Sequence, residues 1–263
     1  MSHKLTYISL GAGVQSTAMY VLSALGKQGV PRADFAVFAD TGDEPRHVYE
    51  QLEKLEDWGE QHGGPPIERV SAGVLSEEIV SHKFVAIPVY LKAPDGKLSI
   101  LRRQCTREYK ITPIMKLVRV KLGLKPRQRN SCRVRAMIGF SCDEASRMKD
   151  SREHWIDNIY PLIDAGLYRN NCIQVVEDAG LGTPRKSACV YCPYQSDHRW
   201  AEMKRDNPDE FEKACKLDEL IRTKTRAVKD EAFVHKSGVP LRDVKFGDFQ
   251  SLWDDECEGH CGV

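Results

Sequence analysis

The 263 residues contain no apolar run long enough to cross a bilayer. The opening stretch MSHKLTYISL lacks the charged, apolar and cleavage regions of a secretory signal. These absences point to a cytoplasmic, reducing setting and away from a membrane partner. There is no internal repeat, low-complexity segment or clear interdomain linker, so the most economical layout is one α/β domain with a C-terminal appendage. A net charge of either sign is also nearly missing, the formal value being +1.

What is present is ordinary for a globular protein, at 41% hydrophobic and 29% charged residues. The cysteine count is not ordinary. Nine cysteines, an odd number, in a reducing compartment read as ligands, nucleophiles or buried thiols rather than a disulfide framework. Charge is also uneven. From Arg102 to Arg135 there are twelve Lys or Arg and one acid, Glu108, whereas Asp243 to Glu258 is acidic. A basic band in a near-neutral chain suits a phosphate-bearing partner, either a nucleotide or a nucleic acid.

The pattern alternates between periods of two and 3.6 residues. KLTYISL reads as a strand, STAMYVLSAL as a helix and ADFAVFAD as a buried strand. Val48, Leu52, Leu55 and Trp58 recur at helical spacing, and IERVSA reads as the next strand. A hairpin turning at APDGK comes next, then a helix over TPIMKLVRVKLGL, a strand over VRAMIGFS and a short helix at DEASRMK. Asn171 is placed to cap a helix through CIQVVEDAG, and further helices cover HRWAEMK and PDEFEKACKLDELIRTK. The fold expected is α/β, a mostly parallel sheet flanked by helices in a Rossmann-like layout. It is expected to occupy residues 1–250, with a cysteine-bearing tail at 251–263.

Gly11 and Gly13 lie between the first strand and first helix, where small residues let backbone N–H groups approach a ligand. Ser16 and Thr17 add hydroxyls at the first helical turn. The loop lacks the glycine–lysine–serine ending of a Walker A motif and the spacing of a dinucleotide-binding turn. A tight turn with a hydroxyl cap is the plain alternative. Cys189 and Cys192, in SACVYCPY, open three readings: a redox dithiol, a zinc knuckle (with His198 as a further ligand) and an iron–sulfur ligand pair. The late position and the proline directly after it disfavour the dithiol.

Several segments together resemble the phosphoadenosine phosphosulfate reductase branch of the adenine nucleotide α-hydrolases, also called PP-loop ATP pyrophosphatases. GAGVQSTA resembles their phosphate loop, keeping Gly13 and Ser16 but replacing the charged pair with Val14 and Gln15. FADTGDEP resembles the Asp-Thr-Gly segment at Asp40, Thr41 and Gly42. QCTREYKITPI keeps Cys105, Lys110 and Pro113 with Gln104 in place of a first cysteine. IGFSCDEASR, IYPLIDAG and KSACVYCP come after these in order, so the resemblance spans roughly Leu5 to Tyr194.

That resemblance implies an adenine nucleotide (ATP, adenylyl sulfate or its 3′-phospho form) bound by Gly11, Gly13, Ser16, Thr17, Asp40 and Thr41. It implies a [4Fe–4S] cluster on Cys105, Cys189 and Cys192, zinc being the alternative, with either Cys132, Cys142 or Cys172 as a fourth ligand or one iron left open to a substrate or sulfide. Lys110 and Arg147 would neutralise sulfate or phosphate charge. The tail segment ECEGHC resembles the reductases' C-terminal nucleophile motif, which makes Cys257 the expected catalytic thiol beside Glu256 and His260. The plain alternative is a loose tail that completes a metal site. The leading activity implied is reductive cleavage of a sulfonucleotide, with a reductant protein such as thioredoxin. The rival is ATP-dependent sulfur transfer to a nucleobase in tRNA or DNA, which the 102–135 basic band favours. A zinc-bearing nucleic-acid-binding module is a third reading. Trp155, Trp200, Cys172 and Cys215 read as core residues, and His235 as a surface histidine.

Overall fold

Strand β1, His3–Leu10, buries Ile8 and Leu10 on one face and Tyr7 on the other. Burial on both faces is what a central parallel strand requires. The computed structural model describes residues 3–81, 86–125, 127–224 and 230–247. β1 pairs in parallel with β2, Phe35–Asp40, on one side and with β6, Arg133–Ile138, on the other. β6 in turn pairs in parallel with β7, Ile156–Ile159. With β3, Ile67–Ser71, the order across the five-stranded sheet is β3-β2-β1-β6-β7. The chain therefore builds outward from β1 in one direction and resumes beside β1 in the other. This is the α/β fold that the alternating pattern predicts.

Each face of the sheet carries its own core. On one side lie α1 (Val14–Leu25), α2 (Arg46–His62), the short α5 (Pro161–Asp164) and α6 (Arg169–Asp178), contributing Met19, Leu22, Leu52, Leu55, Leu162 and Val176. On the other, α4 (Thr112–Lys121) contributes Ile114 and Val118 beside Trp155 and Tyr160. α1 ends at Gly26, whose left-handed φ of 61° directs its N–H back to Leu22 and Ser23. Gly59 inside α2 has a packing cause, since a Cβ there would collide with the Tyr20 hydroxyl.

The chain divides into two compact units. The first, holding the parallel sheet, comprises Met1–Ala39, Arg46–Val70 and Thr112–Ser187. The second comprises Asp40–Pro45, Ser71–Ile111 and Ala188–Val263. Its sheet is antiparallel and three-stranded: β4, Tyr90–Lys92, lies between β5, Leu98–Ile100, and β8, Glu231–Phe233. β4 and β5 form the expected hairpin, closed by the Ala93 N–H donating to the Lys97 carbonyl at 2.9 Å. Helices α3 (Leu75–Ser81), α7 (Asp197–Asp206) and α8 (Pro208–Lys224) complete this unit. Buried Asp218 ties α8 to the chain beyond β8, accepting from the Val234 N–H at 2.8 Å, the Leu241 N–H at 2.9 Å and Arg222.

Three local expectations change. Helix α6 begins at Arg169 rather than after Asn171, because the Asn171 amide oxygen reaches back to accept the Tyr168 N–H at 2.9 Å. DEASRMK forms a 3₁₀ turn over Cys142–Arg147. His235 is buried, held between Ser237 at 2.8 Å and Asp197 at 3.2 Å, and burial lowers its pKa. Trp155, Trp200, Cys172 and Cys215 are buried as expected; burial pushes the Cys215 thiol up to about 11 and the Cys172 thiol up to about 12. Among the described residues, no helix is long and apolar enough to cross a membrane. The tail, with Glu256, Cys257, His260 and Cys261, lies outside the described residues.

Candidate functional site

In the first unit, the strand order reverses at the carboxyl ends of β1 and β6, the place where open α/β sheets leave a ligand crevice. The glycine turn sits there. Gly13 is extended (φ −93°, ψ 174°) and leads into α1, while the left-handed position is taken by Ala12 at φ 54°. The Ser16 hydroxyl accepts the Gly11 N–H at 3.3 Å and donates to the Gly13 carbonyl at 3.2 Å, folding the turn on itself. Small residues keep the space in front of α1 open: a Cβ at Gly13 would stand 3.4 Å from the Ser187 hydroxyl, and one at Gly11 3.8 Å. From the β6 side, Gly139 approaches so closely that its Cβ would lie 2.9 Å from Ser16 Cα. Unpaired amides at a helix start and its partial positive charge make this a suitable cradle for phosphate.

A polar network borders the turn. Gln15 donates to Glu144 at 3.2 Å and accepts from Arg169 at 3.4 Å. Glu144 also pairs with Arg147, whose guanidinium stands 4.4 Å over the Phe140 ring. Arg147 is thus brought toward the turn through Glu144 and Gln15. Thr17 is fully buried, and its hydroxyl has no hydrogen-bond partner among the described residues.

The second unit assembles the cysteines with acids. The Asp40–Pro45 loop is pinned by Asp40, which accepts the Gly42 N–H at 2.8 Å, and by the left-handed Gly42. Asp43 accepts from Ser76 N–H at 2.8 Å, the Ser76 hydroxyl at 2.9 Å and the Tyr191 hydroxyl at 2.5 Å. Its carbonyl takes the Val190 N–H at 3.0 Å. Cys189 and Cys192 occupy the ends of a turn closed by the Cys192 N–H on the Cys189 carbonyl at 2.9 Å. Buried Gln195 braces that turn through the carbonyls of Cys189 and Val190.

Glu44 is the centre of this arrangement. Its side chain is 1% exposed and meets Lys110 Nζ at 3.2 Å, the Thr41 hydroxyl at 3.3 Å and Cys189 Sγ at 3.7 Å. Thr41 is itself buried with its hydroxyl 3.4 Å from Cys189 Sγ. Lys110 projects from a π-helical turn, Thr106–Ile111, that comes directly after Cys105. Such turns are rare and concentrate at functional sites. Burial, and after it the Glu44 carboxylate, push the Cys189 thiol well above its ordinary range, against Lys110 and Thr41. Burial raises Cys105 too, opposed by Arg103 and Lys110.

Among the described residues, no group of three or more His, Cys, Asp or Glu side chains is placed to hold a metal ion. That lends the zinc alternative no support. The donor chemistry does fit an iron–sulfur group, which takes soft thiolates and stands its own iron and sulfide between them. Cys105 and Cys189 lie within electrostatic reach of each other, and Glu44 Oε2 is buried without a hydrogen-bond partner among the described residues. A buried carboxylate oxygen without a donor is costly unless positive charge faces it. Cys132, Cys142 and Cys172 belong to the other unit.

No protein-family model matches the chain, and no curated protein matches it. Among solved structures, the U34-tRNA thiolase NcsA from Methanococcus maripaludis, with its [4Fe-4S] cluster, is similar, with a TM-score of 0.42 and 12% identity. The match covers 84% of this chain and 73% of that one. At that level it assigns no residue.

Sequence reasoning passes over Glu44, Asp43, Gln195, Gly139 and Ser187. Asp43 and Glu44 stand beside the Asp-Thr-Gly segment, but nothing in the string marks Glu44 as buried or Asp43 as the acceptor of three hydrogen bonds. Ser187 precedes the CxxC and reads as a linker serine until the fold brings its hydroxyl to the glycine turn.

Proposed function

We propose that this chain is an adenine-nucleotide-dependent sulfur-transfer enzyme whose acceptor is a nucleobase within a nucleic acid. The glycine turn at the sheet's reversal point supports the nucleotide, and the Cys105–Cys189–Glu44–Lys110 site supports sulfur handling. The distribution of cations carries the choice of acceptor. Lys110 and Arg147, the two cations a sulfonucleotide would need, are each engaged by an internal carboxylate, Glu44 and Glu144. Arg102, Arg107, Lys116, Lys125, Arg127 and Arg129 are exposed, and among the described residues no carboxylate engages them. A small sulfonucleotide needs few such charges, whereas a phosphodiester backbone uses many.

In this reading the backbone amides from Gly11 to Ser16 hold the phosphates of ATP. The nucleobase carbonyl oxygen attacks the α-phosphorus and pyrophosphate leaves. Sulfur at the sulfide level then adds at the activated carbon, and AMP departs with the former carbonyl oxygen. A [4Fe–4S] cluster bound by Cys105, Cys189 and Cys192 would supply the site that carries this sulfur. Glu44 balances Lys110 beside the thiols, and the Thr41 hydroxyl donates to Glu44 while lying 3.4 Å from Cys189 Sγ.

Reductive cleavage of a sulfonucleotide is the second reading, favoured by the Glu256–Cys257–His260 spacing in the tail. The two separate cleanly. Offered ATP, sulfide and bulk tRNA or DNA, the anaerobic protein is expected to release AMP and pyrophosphate only when nucleic acid is present. A sulfonate adduct on the Cys257 peptide after incubation with adenylyl sulfate or its 3′-phospho form, with no nucleic-acid-dependent AMP, overturns the proposal in favour of the reductase.

A further inference from the structure

The glycine turn does not carry the charge that a nucleotide's phosphates call for. From Gly11 to Thr17 no side chain is ionisable as an acid or a base. Backbone amides and a helix start supply only partial positive charge, whereas a triphosphate carries several full negative ones. Within the same unit, two arginines reach the first turn of α1 from elsewhere in the chain. Arg147 is already committed, since its guanidinium pairs with Glu144 and lies over the Phe140 ring. Arg169 is held differently.

Arg169 is the first residue of α6, and its main-chain N–H donates to Asp143 Oδ2 at 2.6 Å. Buried Cys172 and Val176 pack α6 into the core that holds Met19 and Leu22 of α1. Across that seam the Nη1 of half-buried Arg169 donates to Gln15 Oε1 at 3.4 Å, and Gln15 lies in the first turn of α1. The Gln15 amide nitrogen meanwhile donates to Glu144 at 3.2 Å. Each end of the amide faces the charge that suits it, so a neutral group holds the guanidinium at the turn. Among the described residues, this one long bond is all that the fold asks of the guanidinium, and no carboxylate pairs with it. A planar fork with donors to spare, beside the open amides of a helix start, matches phosphate oxygens.

We infer that Arg169 neutralises the phosphate chain of the bound nucleotide, supplying from α6 the full charge that the glycine turn does not carry. The inference rests on the nucleotide reading above and adds to it a side chain outside the turn. Gln15 keeps the guanidinium in place without neutralising it, as a carboxylate there would. When pyrophosphate leaves, negative charge grows on that same chain, and a fixed guanidinium beside it stabilises the departure.

The test is calorimetric titration with ATP and with inorganic triphosphate, with thermal melting of the free protein alongside. Arg169→Gln is expected to weaken both ligands by roughly 10- to 100-fold, the loss of a hydrogen bond between charged groups. Its melting temperature should stay within about 2 °C of the wild type, because the side chain gives the fold one long bond. Arg169→Lys keeps the charge without the fork and should recover part of the affinity. Lys27→Gln, at an exposed lysine beyond the far end of α1, should bind both ligands as the wild type does. Wild-type ATP affinity in Arg169→Gln overturns the assignment and leaves the nucleotide reading intact. A loss for ATP with unchanged triphosphate affinity overturns it too, since the contact would then be with adenosine. Melting temperatures lowered by more than about 5 °C in both Arg169 variants mark a structural residue and overturn it likewise. A wild-type protein that binds neither ligand overturns both the inference and the nucleotide reading.

Discussion

Replacing Gly139 with alanine tests whether the close approach of β6 to the first turn of α1 shapes the nucleotide crevice. The added Cβ would stand 2.9 Å from Ser16 Cα, 3.0 Å from Ser16 N and 3.3 Å from the Gln15 carbonyl carbon, while ordinary contact begins at 3.4 Å. The obstacle is backbone at a helix start, so no rotamer change relieves it. The helix start must retreat by roughly half an ångström, an overpacking cost of about 1–3 kcal/mol. For a protein of this size that lowers the melting temperature by roughly 2–12 °C. The same retreat misaims the amides from Gly13 to Ser16. Hydrogen bonds to charged groups are worth about 1.5–3 kcal/mol each, so loss of one weakens nucleotide binding by roughly 10- to 100-fold. Thermal melting without nucleotide and calorimetric titration with ATP read the two effects separately. A Gly139→Ala protein with wild-type melting and wild-type ATP affinity would refute both the geometry and the crevice.

Gly13→Val should weaken ATP binding at least about 10-fold while leaving the melting temperature within about 2 °C, because extended backbone accepts valine and only the space before α1 is filled; unchanged affinity rejects the cradle. Glu44→Gln keeps the side chain's shape but removes the charge that opposes thiolate formation, so Cys189 should titrate lower and alkylate faster at pH 8, as mapped by peptide mass spectrometry. Equal or slower alkylation contradicts the assigned coupling. Asp218→Ala strips the acceptor from Val234, Leu241 and Arg222 and should cost about 3–5 kcal/mol in urea unfolding, with a loss under about 1 kcal/mol counting against it. Anaerobic wild-type protein should contain iron and acid-labile sulfide, and alanine at Cys105, Cys189 or Cys192 should remove both; stoichiometric zinc without sulfide contradicts the donor assignment.

Local periodicity is readable wherever burial is one-dimensional. The β1 and β2 runs, the α2 stripe of Val48, Leu52, Leu55 and Trp58, and the APDGK hairpin all announce themselves, because the signal lies within a few residues of itself. Glycine placement is readable only in part. Gly11 and Gly13 mark the turn, yet the left-handed position falls on Ala12, and Gly139 is explained by Ser16, far away in the chain. His235 reads as a surface residue because its neighbours Lys236 and Ser237 are polar; Asp197 of α7 draws it inside. Thr41 is assigned to the nucleotide by the resemblance of its segment, and the string does not show that its hydroxyl also lies beside Glu44 and Cys189. Buried acids such as Glu44 and Asp218 are the least legible class, since only the partners brought by the fold permit their burial.

The most direct test of nucleotide-dependent sulfur transfer is to incubate the anaerobic protein with ATP, sulfide and bulk tRNA or DNA, then digest the nucleic acid to nucleosides for mass spectrometry. The account predicts a nucleoside in which sulfur has replaced one oxygen, formed only when ATP is present and lost in the Cys189→Ala protein. Unmodified nucleosides under these conditions, with sulfite released from adenylyl sulfate or its 3′-phospho form by the same preparation, would contradict it.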